Sequence, residues 1–122
     1  MVFISSRYSV TVEEMKSKFI AIAFPISSTD EFKEELKKIS KEHHKARHIV
    51  YAYRLDNTYK STDDGEPKGT AGRPLLELLL KKDVNNIALI VVRYFGGTKL
   101  GAGKLLRTYL SSGVEVLKKA GI

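Results

Sequence analysis

Two hydrophobic periods divide this chain. In "KFIAIAFPI", residues 18–26, alternate positions form two apolar rows, Ile20, Ile22, Phe24 and Ile26 against Phe19, Ala21 and Ala23, as in a strand covered on both faces. Residues 7–13 read as another strand, and the polar "EEMKS" between the two predicts a hairpin. Pro25 sets the exit of the second strand, since proline cannot donate to a ladder. The period then lengthens. Ser28 with Glu31 fits a capping box, and Phe32, Leu36, Ile39 and His43 recur at helical spacing.

"ARHIVYAYRLD" alternates again, with Ile49, Tyr51 and Tyr53 opposite His48, Val50, Ala52 and Arg54. Asp56 to Gly72 is polar and glycine-containing, long enough to read as a functional loop. A short leucine-rich helix follows over 74–82, with Pro74 in its first turn, where a missing N–H has no intrahelical partner. "NIALIVVRYF" is the central-strand candidate, because its apolar run implies cover on both faces. A last helix is predicted over 102–119. Its inner stripe is Leu106, Tyr109, Leu110, Gly113, Val116 and Leu117, and its outer one Lys104, Thr108, Ser111 and Glu115. The order strand, strand, helix, strand, helix, strand, helix predicts an α+β fold, a sheet with helices packed on it in two layers.

Composition narrows the function. The 122 residues suit one domain, and the absence of cysteine excludes disulfides, thiolate metal sites and thiol nucleophiles. The first residues do not read as a signal peptide, and the longest apolar run, Ile87 to Val92, is far too short to span a bilayer, so a cytoplasmic protein is expected. Lysine and arginine exceed aspartate and glutamate by 21 to 14, a net charge of +7 that favours anionic partners.

Two segments share one design. In "DDGEPKGTAGRP" and "FGGTKLGAGK", glycines precede a helix and basic residues stand beside them. A helix N-terminus presents free N–H groups and about half a positive charge, a setting for phosphate, although such glycines also serve plain turns. No complete P-loop or dinucleotide fingerprint is present, and no cofactor is assigned. Asp63, Asp64 and Glu66 have the oxygen chemistry of Mg²⁺ ligands and the sequence of a turn; no metal is assigned. His43, His44 and His48 share no assured face, and His43 continues an apolar helical stripe. Arg47, Tyr51, Tyr53, Arg93 and Tyr94 mix cations with aromatics, but Arg93 and Tyr94 point to opposite faces of their strand.

"ARH", "TDDGEPKGTAGRP" and "VVRYFGGTKLGAGKLLRTY", in this order between residues 46 and 109, resemble the amino-terminal domain of the IMPACT family. The resemblance implies a two-layer α+β sandwich like the second domain of ribosomal protein S five, also seen in domain four of elongation factor G. It implies a link to translation control and stress response. A eukaryotic relative acts by binding a protein activator of a starvation-responsive kinase, while nucleic-acid binding is suggested for microbial relatives. The sequence departs from the family twice. The second, ferredoxin-like domain of many microbial members has no counterpart in these residues, and Lys104 replaces a usual glycine.

The leading expectation is therefore a non-enzymatic, translation-linked binding domain contacting RNA or another polyanion. Its predicted site is a groove between the two glycine loops, formed by Arg47, His48, Lys68, Gly72, Arg73, Arg93, Lys99, Gly101, Gly103, Lys104 and Arg107. The first alternative is a protein-interaction module using the acidic loop of Asp63, Asp64 and Glu66. The second is a metal-dependent enzyme acting on a phosphorylated substrate.

Overall fold

The computed structural model describes residues 1–122. Strands β1 (Tyr8–Glu14) and β2 (Ser17–Pro25) form the predicted hairpin, with a turn of only two residues. Those two, Met15 and Lys16, both have positive φ, the twist that a tight hairpin requires. Helix α1 (Thr29–Glu42) follows, then β3 (His48–Leu55), β4 (Thr58–Thr62), α2 (Gly72–Lys81), β5 (Ile87–Tyr94) and α3 (Ala102–Lys119). The five strands make one antiparallel sheet in the order β1-β2-β5-β3-β4.

Strand β4 corrects the expectation of a continuous loop over 56–72. Leu55 pairs with Thr58 across an Asp56–Asn57 turn, in which Asp56 has positive φ. As an edge strand of polar residues, β4 buries no apolar row and leaves no hydrophobic period to read.

Strand β5 is central, and its apolar run is divided between two faces. Leu89 and Val91 join Phe19, Ala21, Ala23, Val50 and Ala52 beneath α2 and α3, in a cluster of 17 buried residues. Ala88, Ile90 and Val92 join Ile22, Phe24 and Ile26 beneath Phe32 and Ile39 of α1, in a cluster of 8. Burying one large aliphatic or aromatic side chain is worth roughly 1.5–3 kcal/mol, so the α2–α3 face carries most of the stabilisation. The two-layer packing expected from sequence lies on that face, and α1 covers the other.

Helix α1 begins as its sequence requires. Ser28 Oγ accepts from the Glu31 amide at 3.1 Å, while the Glu31 carboxylate reaches back to the Ser27 amide and hydroxyl. Those hydrogen bonds, the hydroxyl's first, lower the Glu31 pKa below the ordinary glutamate value. At the other end, the cap residue His43 holds the Tyr94 hydroxyl through Nδ1 at 2.6 Å. Helix α3 corrects its predicted stripe: it buries Leu105, Thr108, Tyr109, Ser112, Gly113, Val116 and Leu117, whereas Leu106 is exposed. Gly113 sits where α2 presses closest, since a Cβ there would lie 2.9 Å from Leu75 Cδ2.

Candidate anion-binding site

The two glycine loops begin alike and end differently. In the first, Asp63 folds back over the start of α2. Its carboxylate accepts from the amides of Gly69 at 2.9 Å, Ala71 at 3.1 Å and Gly72 at 2.9 Å. The chain thus supplies its own anion to that helix terminus, and the Gly72 amide is not open to a ligand. Gly72 serves packing instead. A Cβ there would overlap the backbone carbonyl of Thr62, so only glycine lets the loop cross β4.

The other two acids of this loop are also used internally. Asp64 accepts from the Ile49 amide at 2.7 Å, and its backbone carbonyl oxygen lies 2.6 Å from His48 Nδ1. Glu66 is buried. Its carboxylate takes two contacts from Arg93 Nη1, at 2.9 and 2.7 Å, and one from the Tyr109 hydroxyl, and it lies 3.3 Å from His48 Nε2. Burial, and then the hydrogen bond to Glu66, push the Tyr109 phenol far above the ordinary tyrosine range. The acidic loop, offered by sequence as an alternative partner surface, thus spends Asp63, Asp64 and Glu66 on contacts within the fold.

In the second loop, Gly101 takes a positive φ and α3 starts at Ala102 with no side-chain cap. The first-turn amides of a helix have no intrahelical acceptor, so this terminus is open. Beside it lies a cavity of about 300 Å³ lined by Arg47, His48, Glu66, Pro67, Arg93, Phe95, Lys99, Leu100, Gly101, Ala102 and Leu105. Arg47 and Lys99 reach it from exposed positions, while Arg93 is only 5% exposed. The Nε–H of Arg93 is buried without a hydrogen-bond partner. The single carboxylate of the lining, Glu66, is already committed to Arg93 and Tyr109.

The predicted groove is accordingly divided. Arg47, His48, Arg93, Lys99 and Gly101 do converge on one cavity. Arg73 does not: it pairs with Glu77 and lines a separate groove of about 650 Å³ between α2 and α3, beside Leu78, Leu106 and Leu110. Lys104 and Arg107 lie with β1, around a third depression where Lys104 Nζ stands 3.4 Å from a Glu14 carboxylate oxygen. Gly103 is exposed in the first turn of α3 and Lys68 is exposed on the first loop; neither lines the cavity. The sequence reading missed Phe95, whose ring carries the Arg47 guanidinium 4.6 Å from its centroid.

Residues 15–117 match the Impact N-terminal domain, and the chain belongs to that family. Among individual relatives, it is 41% identical over 121 residues to the IMPACT family member YvyE of Bacillus subtilis, covering 97% of this chain and 55% of that protein. It is 33% identical over 102 residues to Protein IMPACT of Rattus norvegicus, covering 77% of this chain and 32% of that protein. The chain spans about half the length of its bacterial relatives. A solved structure described as that of a hypothetical protein superposes with a TM-score of 0.92 at 32% identity, over 96% of this chain and 59% of that one. The two-domain translational regulator Yih1 gives 0.54 at 26% identity, over 96% and 46% respectively. No helix is long and apolar enough to cross a membrane.

Proposed function

We propose that this domain acts in translational regulation by binding phosphate groups of RNA at the cavity beside the α3 N-terminus. The observation that carries the reading is the uncapped start of α3, set beside Arg47, Lys99 and a buried Arg93 with an unpartnered Nε–H. Open helix amides and convergent cations are the two ingredients of a phosphate site. The net charge of +7 gives the long-range attraction. Family membership, and the description of Yih1 as a translational regulator, supply the cellular setting.

The cavity is near the lower end of the volumes that hold a small ligand, so it suits a phosphate and its sugar rather than a duplex. The direct test is RNA binding by the wild-type chain and by Arg47→Ala with Lys99→Ala, both at physiological salt. Each phosphate neutralised on a single strand adds about 0.7 to the negative slope of log affinity against log salt. The double variant should bind at least tenfold more weakly, with a slope about 1.4 shallower. An unchanged affinity would remove the site.

A further inference from the structure

We propose that the phosphate cavity is one end of a track for single-stranded nucleic acid, which continues over Arg47 and Phe95 onto a second basic depression on the α1 side of the sheet. This deepens the reading above and rests on it. The observation is one of continuity. Phe95 lines the cavity at the α3 N-terminus and also a neighbouring depression of about 360 Å³ bounded by Lys16, Lys18, Ile20, His43 and Tyr94.

The chain builds this junction at Gly96. A Cβ there would overlap the backbone carbonyl of Lys16, and the Gly96 amide donates to Ser17 Oγ at 3.1 Å. The turn after β5 is thereby seated against the β1–β2 hairpin, which sets Lys16 beside Phe95. Register does the same for Lys18, which pairs directly with Tyr94.

The chemistry along this path is uniform. Lys16, Lys18, Arg47 and Lys99 have no carboxylate within ion-pair distance. The nearby acids are Glu66, already bound to Arg93, Glu42, which lies 3.9 Å from His43 Nε2, and Glu13, which faces Lys18 across the β1–β2 ladder without forming an ion pair with it. Between the cations, Phe95 is 37% exposed and stacked with Arg47. A guanidinium lying on an aromatic ring is a platform on which a nucleobase stacks without regard to sequence, and cations on either side hold the flanking phosphates. A duplex hides the faces of its bases, so this pairing selects a single strand.

Fluorescence anisotropy with a short labelled oligoadenylate tests the track. The wild-type chain should bind with a salt slope of about −3, from four cations. Phe95→Ala should weaken binding about 5- to 150-fold, the range for losing one base–aromatic stack, and Phe95→Tyr should restore it. An abasic strand of the same length should bind the wild-type and Phe95→Ala chains equally weakly. If Phe95→Ala and the abasic strand change nothing while Arg47→Ala with Lys99→Ala still abolishes binding, the track is wrong and the phosphate site stands. If no salt-dependent binding of any strand occurs, both fall. Tighter binding of an RNA duplex than of the single strand would overturn the single-strand assignment.

Discussion

The loops that open α2 and α3 carry the same signature, glycines and basic residues before a helix, yet only one ends in an open terminus. At α2 the carboxylate of Asp63 takes three amides, including that of Gly72. At α3 the cap position is Gly101, which has no side chain to turn inward. A helix N-terminus attracts an anion wherever it occurs; whether that anion comes from outside depends on whether the chain has already supplied one. The first loop accordingly holds the fold together, and the second leaves its amides open, as the proposed phosphate site requires. Substitutions in the first should therefore change stability, and those around the second should change affinity.

The largest effect is expected at Glu66. Glu66→Ala leaves Arg93 charged and buried without its partner, a loss of about 3–5 kcal/mol read by urea unfolding. Glu66→Gln keeps an acceptor and should fall between this variant and the wild type. A loss within about 0.5 kcal/mol in Glu66→Ala, the range of an ordinary surface substitution, would mean that the first loop is not the structural one.

Tyr109→Phe comes next, because it removes one donor from the same carboxylate, at about 1–2 kcal/mol. Its sign with pH is fixed by the raised phenol pKa. A group whose folded pKa exceeds its unfolded value of about 10 contributes fully below pH 10 and progressively less above it. Wild-type stability should thus fall from about pH 9 to 11 more steeply than that of Tyr109→Phe.

Much of this was legible in the sequence, for reasons that also explain the failures. The two rows of β2 and of β3 were readable because each face meets a different apolar layer, so every residue carries a signal. The inner stripe of α3 drifted to Leu106 because the helix buries Thr108 and Ser112. Their hydroxyls donate to the Lys104 and Tyr109 carbonyls, at 2.8 and 2.7 Å, and thereby satisfy themselves locally. Hydropathy cannot register a polar residue that carries its own acceptor. Cations and glycines mark the site in the sequence, but pairing does not. Glu66 meets Arg93 and Tyr109 only after β5 and α3 have packed, and Lys16 meets Phe95 only through the backbone contact at Gly96.

Asp63→Ala is the substitution that should make the two loops alike. Removing the carboxylate leaves three amides without their acceptor, at a cost of about 1–2 kcal/mol. The uncovered terminus should then behave as α3 does. Phosphate at matched ionic strength should stabilise the variant more than the wild type, as a ligand that binds only the folded state must. Equal stabilisation of both chains would show that an open amide terminus is not enough, and that the cations around α3 do most of the binding.

The smallest effect is expected from Lys104→Ala with Arg107→Ala, although both residues stand in the first turns of α3. Their side chains line the depression near β1, and Lys104 stands beside Glu14 across a half-exposed ion pair worth little in water. The substitutions keep the backbone amides of the α3 start. Stability should stay within about 0.5 kcal/mol of the wild type. Because neither side chain lines the cavity, RNA affinity at physiological salt should change by less than about threefold. The same two charges removed from Arg47 and Lys99 should cost at least tenfold. Equal losses from the two pairs would mean that charge anywhere near α3 suffices, and that the open helix terminus confers no direction on binding.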